Sequence, residues 1–246
     1  MTDPLFLAPD AARIREARPG HVVMVTGDEA RHAVVVRRVR PGETVYLSDG
    51  HGHGIHGEVV GADRETLAVR VGEVLTAPVP PVRFTVVQAL AKGERSDIAI
   101  EALTELGVDR IVAWQASRAV VRWEAKSDKG LAKWRATVRE AAKQSRRLRV
   151  PEVEYESTRQ VLERVRAADL AVVLHESAAA WLSELEFPVA GSVVFVVGPE
   201  GGVSDDELAT FEAAGARPAL VSDAVLRTST AGPVALAQAQ ALIGRP

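Results

Sequence analysis

The chain of 246 residues contains no cysteine. This excludes disulfides, a thiol nucleophile and a zinc site built on thiolates. Apolar runs such as residues 192–197 are far shorter than the roughly 20 residues that a membrane-spanning helix needs. The first residues also lack the basic and long apolar segments of a signal peptide. We therefore expect a cytoplasmic protein that has no membrane partner.

Aromatic residues are scarce too, at 4%, whereas hydrophobic residues make up 47% and charged residues 26% of the chain. The last two values are close to the average for soluble globular proteins. They exclude a disordered tail, a collagen-like repeat and a coiled coil. The length suits one large domain or two small ones.

The net charge of -3 conceals a segregation of charge along the chain. Residues 81–150 carry 15 Lys and Arg but 8 Asp and Glu, whereas residues 151–246 carry 6 and 14. A basic middle segment in an acidic protein is typical of a face that binds a polyanion such as RNA. The alternative is that these cations only coat solvated helices.

Three prolines at positions 78, 80 and 81 predict a stiff extended linker, because proline fits neither a helix interior nor a central strand. We therefore expect one domain over residues 1–76 and a second over 82–246. The first domain is predicted to be a small β-barrel, with a short helix near Asp28 that Thr26 and Glu29 begin as a capping box. Its predicted strands cover residues 21–25, 44–47, 55–60 and 67–75.

The second domain alternates strands with helices, which predicts an α/β fold with a parallel sheet. Predicted strands cover 84–90, 110–114, 153–155, 170–175, 193–197 and 218–221. Predicted helices cover 96–106, 129–147, 157–168, 178–185, 204–215 and 231–243. Capping boxes at Ser157 and Ser204 begin two of these helices, and Gly107 and Gly215 end two.

The strongest local motif is the run from Val193 to Gly202, in which an apolar strand enters a loop with three glycines and a capped helix follows. Glycine permits positive φ and close approach of a ligand to the backbone, and ligands of open α/β sheets bind beyond the strand ends. The spacing matches neither a Walker loop nor the dinucleotide fingerprint. Glu200 would repel a phosphate but suit a cationic or hydroxyl-rich ligand. The alternative is a tight turn without a ligand.

Two more loops follow predicted strands. In the first, His175 is a candidate acid or base, although a structural role at a strand end is more common. In the second, residues 220–231, Arg227 can bind a carboxylate or a phosphate. The hydroxyls of residues 228–230 can either bind a ligand or simply cap the last helix.

Basic side chains cluster at several positions, as phosphate contacts to RNA require. The candidates are Arg37, Arg38, Lys92, Arg95, Arg118, Arg122, Arg146 and Arg147. Trp123 and Trp134 could stack on bases, but core packing is the favoured role for each. The histidines at 51, 53 and 56 have spacing that a zinc site could use. We favour a glycine-rich turn there and expect no metal.

The ordered set of these stretches resembles the RsmE family of ribosomal RNA uridine-N3 methyltransferases, in the SPOUT superfamily. The matching stretches are residues 88–95, 104–108, 118–123, 144–147, 198–202 and 226–231, with His32, Arg37, Arg38, 41–42 and 49–50 in the first domain. The sequence departs from the common pattern in two places. Ser229 stands where an acidic residue is frequent, and residues 221–224 differ from the usual approach to their loop.

The resemblance implies an N-terminal PUA-like β-barrel that binds RNA and a C-terminal α/β domain with a deep trefoil knot. It also implies a homodimer, and S-adenosylmethionine bound in the knot. The expected reaction is methylation of N3 of uridine 1498 in 16S ribosomal RNA of the assembled small subunit. The alternatives are ribose 2′-O-methylation by a SPOUT enzyme and an RNA-binding assembly factor without catalysis.

On this resemblance we expect Arg227 to be the catalytic residue, because it can stabilise negative charge that develops on uracil. The expected cofactor-binding residues are Leu174, His175, Glu176, Val197, Gly198, Pro199, Glu200, Gly201, Gly202, Val221, Val225, Leu226, Thr228, Thr230 and Ala231. We expect the last helix to pack at the subunit interface through small residues at positions 235, 237, 239 and 241.

Overall fold

A computed structural model describes residues 3–8, 10–123 and 127–245. These residues form two compact units. The first unit extends to Val79 and also contains Arg139–Val150, while the second contains Pro80–Val138 and the residues from Pro151 onward. The prolines of the predicted linker lie at the division between Val79 and Pro80. The expected domains were residues 1–76 and 82–246. They did not place Arg139–Val150 in the first unit, where the structure has it.

The first unit contains one five-stranded sheet with the strand order β1-β3-β4-β5-β2. Strand β1 is parallel to β3, and the other neighbours are antiparallel. The strands are β1 (Leu5–Leu7), β2 (Val22–Thr26), β3 (Thr44–Ser48), β4 (His53–Asp63) and β5 (Thr66–Thr76). Two short helices, α1 (Ala11–Arg15) and α2 (Asp28–Arg31), accompany them, and a π-helical turn (His32–Val36) continues α2.

The four predicted strands of this unit are present, but β1 and α1 had no sequence signal strong enough to predict them. The predicted capping box at the start of α2 is wrong. Gly27 occupies the N-cap position with φ 76°, and no side chain caps the helix. Thr26 instead ends β2, paired with Thr66 of β5.

The second unit contains a six-stranded sheet whose neighbouring strands are all parallel. The strands are β6 (Val82–Ala89), β7 (Arg110–Trp114), β8 (Glu152–Glu156), β9 (Leu170–Leu174), β10 (Gly191–Val197) and β11 (Arg217–Ala219), in the order β11-β9-β10-β6-β7-β8. The helices are α3 (Arg95–Leu106), α4 (Ser127–Gln144), α5 (Thr158–Ala167), α6 (Asp205–Ala213) and α7 (Thr228–Leu242). The predicted α/β fold is confirmed.

The apolar stretches of the second unit's strands are buried, as the sequence predicts. In β10, the five residues from Val193 to Val197 are at most 2% exposed, because both faces of the sheet are covered. Local signals place the helix ends. The Gln160 side chain accepts the Ser157 N–H before α5, and Gly107 follows α3 with φ 80°.

One predicted helix, over residues 178–185, is wrong. The chain turns at His175, where the Ala178 N–H bonds to the His175 carbonyl, and it forms only a 3₁₀ turn at Leu182–Glu184. Between them, Trp181 pairs with Leu220 as an isolated parallel bridge. This tertiary pairing holds extended a segment whose alanines favour a helix. Some predicted ends differ by a few residues from the observed ones. Helix α4 ends at Gln144 and not at 147, β11 ends at Ala219 and not at 221, and α7 begins at Thr228 and not at 231.

Helix α7 packs on α3, β6 and β10, and this packing limits what it can offer to a partner. Ala235 and Ala239, two of the four alanines expected at a subunit interface, are 0% exposed within their own chain. Ala237 and Ala241 remain exposed. None of the helices in the described ranges is long and apolar enough to cross a membrane.

Candidate active site

A cavity of about 600 Å³ lies in the second unit, at the carboxyl ends of β9, β10 and β11. This volume is typical of small-molecule sites, and the position is the usual one for ligands of parallel sheets. Three segments supply most of the wall, namely 174–176, 197–203 and 219–228, and Arg95, Arg118, Asp205 and Ala231 complete it.

The structure brings the predicted cofactor residues together in this one cavity, with the exception of Thr230. The Thr230 hydroxyl donates to the Arg227 carbonyl at 3.1 Å, as a capping side chain does. Sequence reasoning missed a further set of wall residues. These are Val203, Asp205, Ala219, Leu220, Ser222, Asp223 and Ala224. Ala219 and Leu220 end a predicted strand, so the strand-end rule contained the signal for them.

A buried hydrogen-bonded chain joins the glycine loop to the start of α7. The Thr228 hydroxyl donates to the Gly198 carbonyl at 2.7 Å, and the Gln88 amide nitrogen lies 3.0 Å from the same hydroxyl and 3.2 Å from the Thr228 carbonyl. Gln88 is 0% and Thr228 6% exposed. Two of the cavity's wall segments are therefore held in a fixed relation through the end of β6.

The glycine loop has two different requirements for glycine. Gly202 has φ 72°, a conformation that side chains disfavour. Gly201 does not have positive φ, contrary to what its position in the motif suggests. A Cβ atom on Gly201 would instead lie 3.2 Å from the Cβ atom of Arg118, so a larger residue would push the Arg118 segment away.

Glu200 ties the glycine loop to the segment after β6. Its Oε1 atom accepts hydrogen bonds from the Lys92 N–H at 2.9 Å and from Arg95 at 2.8 Å. Burial opposes ionisation of Glu200, but these donors outweigh burial and lower its pKa. Glu200, which was expected to face a cationic ligand, thus already forms an ion pair with Arg95, one of the predicted RNA-binding residues.

A second carboxylate holds the Arg118 segment. Glu207, 9% exposed, accepts hydrogen bonds from the Ser117 N–H at 2.7 Å and from the hydroxyls of Ser117 and Ser204 at 2.8 and 2.9 Å. The pKa of Glu207 is lowered, because these bonds outweigh the opposing effect of burial. Next to Ser117, the Arg118 guanidinium donates to the Val203 carbonyl at 3.3 Å. The predicted capping box at Ser204 is present, and it also fixes part of the cavity wall.

Arg227 and His175 lie in the cavity wall with different constraints. Arg227 is the exposed N-cap residue of α7, and its guanidinium makes no hydrogen bond to any described residue. His175 is half-buried, and its Nδ1 atom lies 2.8 Å from the Ser177 hydroxyl. The free guanidinium is thus the group that the cavity offers to an anion.

The predicted RNA-binding residues fall into two sets. Lys92, Arg95, Arg118 and Arg122 belong to the second unit, and Arg37, Arg38, Arg146 and Arg147 to the first. Trp123 and Trp134 contact each other edge to face at 5.2 Å, and Trp123 stacks on Tyr155 at 5.7 Å, so both rings take part in packing.

The three spaced histidines do not converge. The Nδ1 atom of His53 lies 3.2 Å from Asp49, and the Nε2 atom of His56 lies 2.7 Å from Asp3. Within residues 3–8, 10–123 and 127–245, no group of three or more His, Asp or Glu side chains is arranged to hold a metal ion.

Two family models match the chain. A model for the RNA methyltransferase domain matches residues 78–240, and one for the RNA methyltransferase PUA domain matches residues 25–72. The first covers the whole cavity wall described above.

Several known proteins are similar to this chain over most of its length. Ribosomal RNA small subunit methyltransferase E of Mycobacterium bovis is 50% identical over 234 residues, which cover 92% of this chain and 88% of that protein. The Bacillus subtilis protein of the same name is 29% identical over 84% of this chain and 85% of its own. A crystal structure of ribosomal RNA small subunit methyltransferase E from Neisseria gonorrhoeae, bound to S-adenosylmethionine, is 28% identical and superposes with a TM-score of 0.85 over 98% of both chains.

Proposed function

Because the chain belongs to the RsmE family of ribosomal RNA methyltransferases, we propose that it methylates N3 of a uridine in 16S ribosomal RNA. The chain is an S-adenosylmethionine-dependent ribosomal RNA methyltransferase with a PUA-like N-terminal domain. The base position, the assembled small subunit as substrate and the homodimer are parts of the proposal. The observation that supports it most is that two stretches of the resemblance, 198–202 and 226–231, meet the strand end at 174–176 in one cavity.

The residues of the cavity fit S-adenosylmethionine in size and chemistry. The volume of about 600 Å³ is sufficient for a nucleoside with an amino-acid tail. Leu174, Val197 and Leu226 offer apolar surface to a purine ring, and Glu176 and Asp223 offer carboxylates to a cationic ligand. When bound, S-adenosylmethionine supplies an electrophilic methyl group on a sulfonium centre. We propose that the loops at 174–176, 198–202 and 221–228 hold it.

The chain's own residues position the acceptor base. N3 of uridine must lose its proton before or during attack, and this leaves negative charge on the uracil ring. The Arg227 guanidinium stabilises that charge, since it is a cavity cation without a protein partner among the described residues. The loops held by Glu200 and Glu207 keep the reacting groups in line, so positioning supplies a large part of the rate.

We propose that the chain threads through itself near the cavity, as a trefoil knot requires. Supporting this, β10 lies between β9 and β6, and the chain after β11 returns to contact both Gly198 and Gln88 through Thr228, the first residue of α7. Pulling the chain from its two termini tests the knot. A knotted chain stops short of the roughly 3.3–3.6 Å per residue of full extension, whereas an unknotted chain reaches it.

We also propose that the exposed side of α7 forms a homodimer interface. Supporting this, Ala241 and the half-exposed Leu242 border an open cavity of about 410 Å³ together with Trp181, Leu182 and Val221. Because Ala235 and Ala239 pack inside the chain, the interface would use the opposite side of α7.

Nucleoside analysis tests the proposed reaction directly. Assembled small subunits and free 16S ribosomal RNA are each incubated with the protein and methyl-labelled S-adenosylmethionine. We expect label in N3-methyluridine from assembled subunits. Label in a ribose-methylated nucleoside would favour the 2′-O-methyltransferase alternative, and cofactor binding without label in either RNA would favour an assembly factor.

A further inference from the structure

A smaller cleft of about 100 Å³ lies in the first unit and shares no wall residue with the cofactor cavity. Three parts of the resemblance that the cofactor cavity does not use meet there: His32, Arg37 and the stretch at 144–147. The wall consists of Asp3, Pro4, Leu5, Phe6, His32, Arg37, Glu140, Lys143, Gln144 and Arg146.

Two helix ends build this cleft. The π-helical turn after α2 provides His32 and is followed directly by Arg37, while the last turn of α4 and the residues after it provide Lys143, Gln144 and Arg146. The Phe6 ring contacts the His32 imidazole edge to face, with ring centroids 6.2 Å apart.

The acidic residues of the cleft already have partners. Glu140 lies 2.6 Å from Lys143, and the Asp3 carboxylate accepts a hydrogen bond from the Thr44 hydroxyl at 2.7 Å and contacts His56 at 2.7 Å. In contrast, the Arg37 and Arg146 guanidinium groups form no hydrogen bond with the described part of the chain, although Arg146 is close enough to the Asp3 carboxylate for their charges to attract. The hydrogen-bond donors of both arginines are therefore open to an anion, beside a Lys143 side chain that is only 5% exposed.

The backbone at Arg146 adds a separate observation. Arg146 has φ 54°, in the left-handed region, at the position after α4 where glycine is the common residue. An L residue pays about 1–2 kcal/mol for this conformation, which glycine adopts without strain. Arginine here is therefore less favourable for folding than glycine would be.

We propose that this cleft binds one phosphate group of the ribosomal RNA backbone, contacted by Arg37 and Arg146 together. The inference rests on the proposed function, which supplies the RNA. The cleft, of about 100 Å³, has room for a group of the size of one phosphate. Gln144 and His32 complete the site as hydrogen-bonding groups, and the arginines supply charge-assisted bonds.

The test is a salt titration of binding to a 16S ribosomal RNA fragment by the full chain and its variants Arg37→Ala, Arg146→Gly and the double variant. We expect each single variant to bind about tenfold more weakly and to lower the slope of log affinity against log salt by up to about one unit. Because both arginines contact the same phosphate, the double variant should also lose about one unit and not two. Arg64→Ala, which removes an exposed cation from the β4–β5 turn, is the charge control and should keep the slope.

Two further measurements separate the outcomes. The Tm of Arg146→Gly should equal or exceed that of the parent, since glycine relieves the strain, so weaker RNA binding cannot be ascribed to unfolding. Calorimetry with inorganic phosphate tests the other source of this ligand. The inference would be overturned if the arginine variants kept the salt slope of RNA binding. It would also be overturned if they lost binding of inorganic phosphate while their RNA binding stayed unchanged. If the parent chain binds S-adenosylmethionine and methylates RNA in the same preparation, that failure concerns only the cleft and leaves the proposed function standing.

Discussion

The Thr228 hydroxyl joins the start of the last helix to the Gly198 carbonyl, the first backbone group of the glycine loop. In Thr228→Val the shape is retained, but the buried Gln88 amide and the Gly198 carbonyl each lose a partner. We expect a loss of about 1–3 kcal/mol in stability and weaker binding of S-adenosylmethionine. Denaturant unfolding and calorimetric titration measure the two effects. Thr228→Ser keeps the hydroxyl and should retain most of the affinity, and equal behaviour of the two variants would contradict this role.

Gly201 is predicted to tolerate no branched side chain. A Cβ atom there would lie 3.2 and 3.3 Å from the Cβ atom and carbonyl oxygen of Arg118, so Gly201→Val must displace one of the two loops that form the cavity. We expect Gly201→Val to abolish binding of S-adenosylmethionine and Gly201→Ala to weaken it. Calorimetry gives both affinities. Full affinity in the valine variant would show that the loops adapt and that their contact does not shape the site.

Arg227→Ala should lower the rate and not the affinity for the cofactor. The Arg227 side chain makes no bond to the described part of the chain, and its carbonyl, which accepts the Thr230 and Ala231 N–H groups, is unaffected by the substitution. If the guanidinium acts only as charge develops on uracil, kcat and kcat/KM should fall together. Loss of one such donor typically costs about 10²–10³-fold in kcat.

Arg227→Lys is the control for this prediction, because it keeps the positive charge and should recover part of the rate. Steady-state methylation of assembled small subunits, beside calorimetry with S-adenosylmethionine, separates the two roles. Lost cofactor affinity in Arg227→Ala would assign the residue to cofactor binding, and an unchanged kcat would remove it from catalysis.

Glu207 should make stability depend on pH in the acid range. Hydrogen bonds from Ser117 and Ser204 lower its pKa in the folded state below the ordinary value of about 4.5. The stabilisation is therefore fully present above the unfolded-state pKa and is lost as the pH falls through the lower, folded-state value. We expect Glu207→Gln to be less stable by about 1–3 kcal/mol at pH 7 and to show a smaller fall of Tm between pH 5 and pH 3.

Parallel curves of Tm against pH for the parent and Glu207→Gln would refute this assignment. Glu212→Gln is the matched control, because Glu212 is exposed on the same helix and makes no cap hydrogen bond with its side chain. It should follow the parent curve.

Local signals predicted the second unit well. Strands such as β10 are apolar at every position, and glycines or capping boxes mark the helix ends at Gly107, Ser157 and Ser204. Because parallel strands end at one edge, the strand-end motifs also indicated which loops share a cavity. The wrong helix at 178–185 shows the limit of such signals, since the pairing of Trp181 with Leu220 depends on a residue 39 positions away.

The division into units was less predictable from the sequence. Arg139–Val150 continues a helix of the second unit, and no local pattern marks its return to the first. It is held there by long-range bonds, such as those from the Ser48 hydroxyl to the Leu148 carbonyl and from Arg149 to the Ala77 carbonyl. The cleft that contains Arg146 exists because Arg139–Val150 belongs to the first unit. The sequence therefore indicated Arg37 and Arg146 as basic candidates but not that they line one cleft.

A charge on the exposed side of α7 should dissociate the proposed dimer. Ala241 is exposed and borders the open cavity beside Trp181 and Leu242, where a partner would bury apolar surface. Ala241→Glu would place a carboxylate in that interface, and burying an unpaired charge costs several kcal/mol. Light scattering at micromolar concentration should give the mass of two chains for the parent and of one chain for Ala241→Glu. Ala209→Glu makes the same substitution at an exposed position of α6 and should leave the mass unchanged. A parent of 26.3 kDa in solution would exclude the dimer altogether.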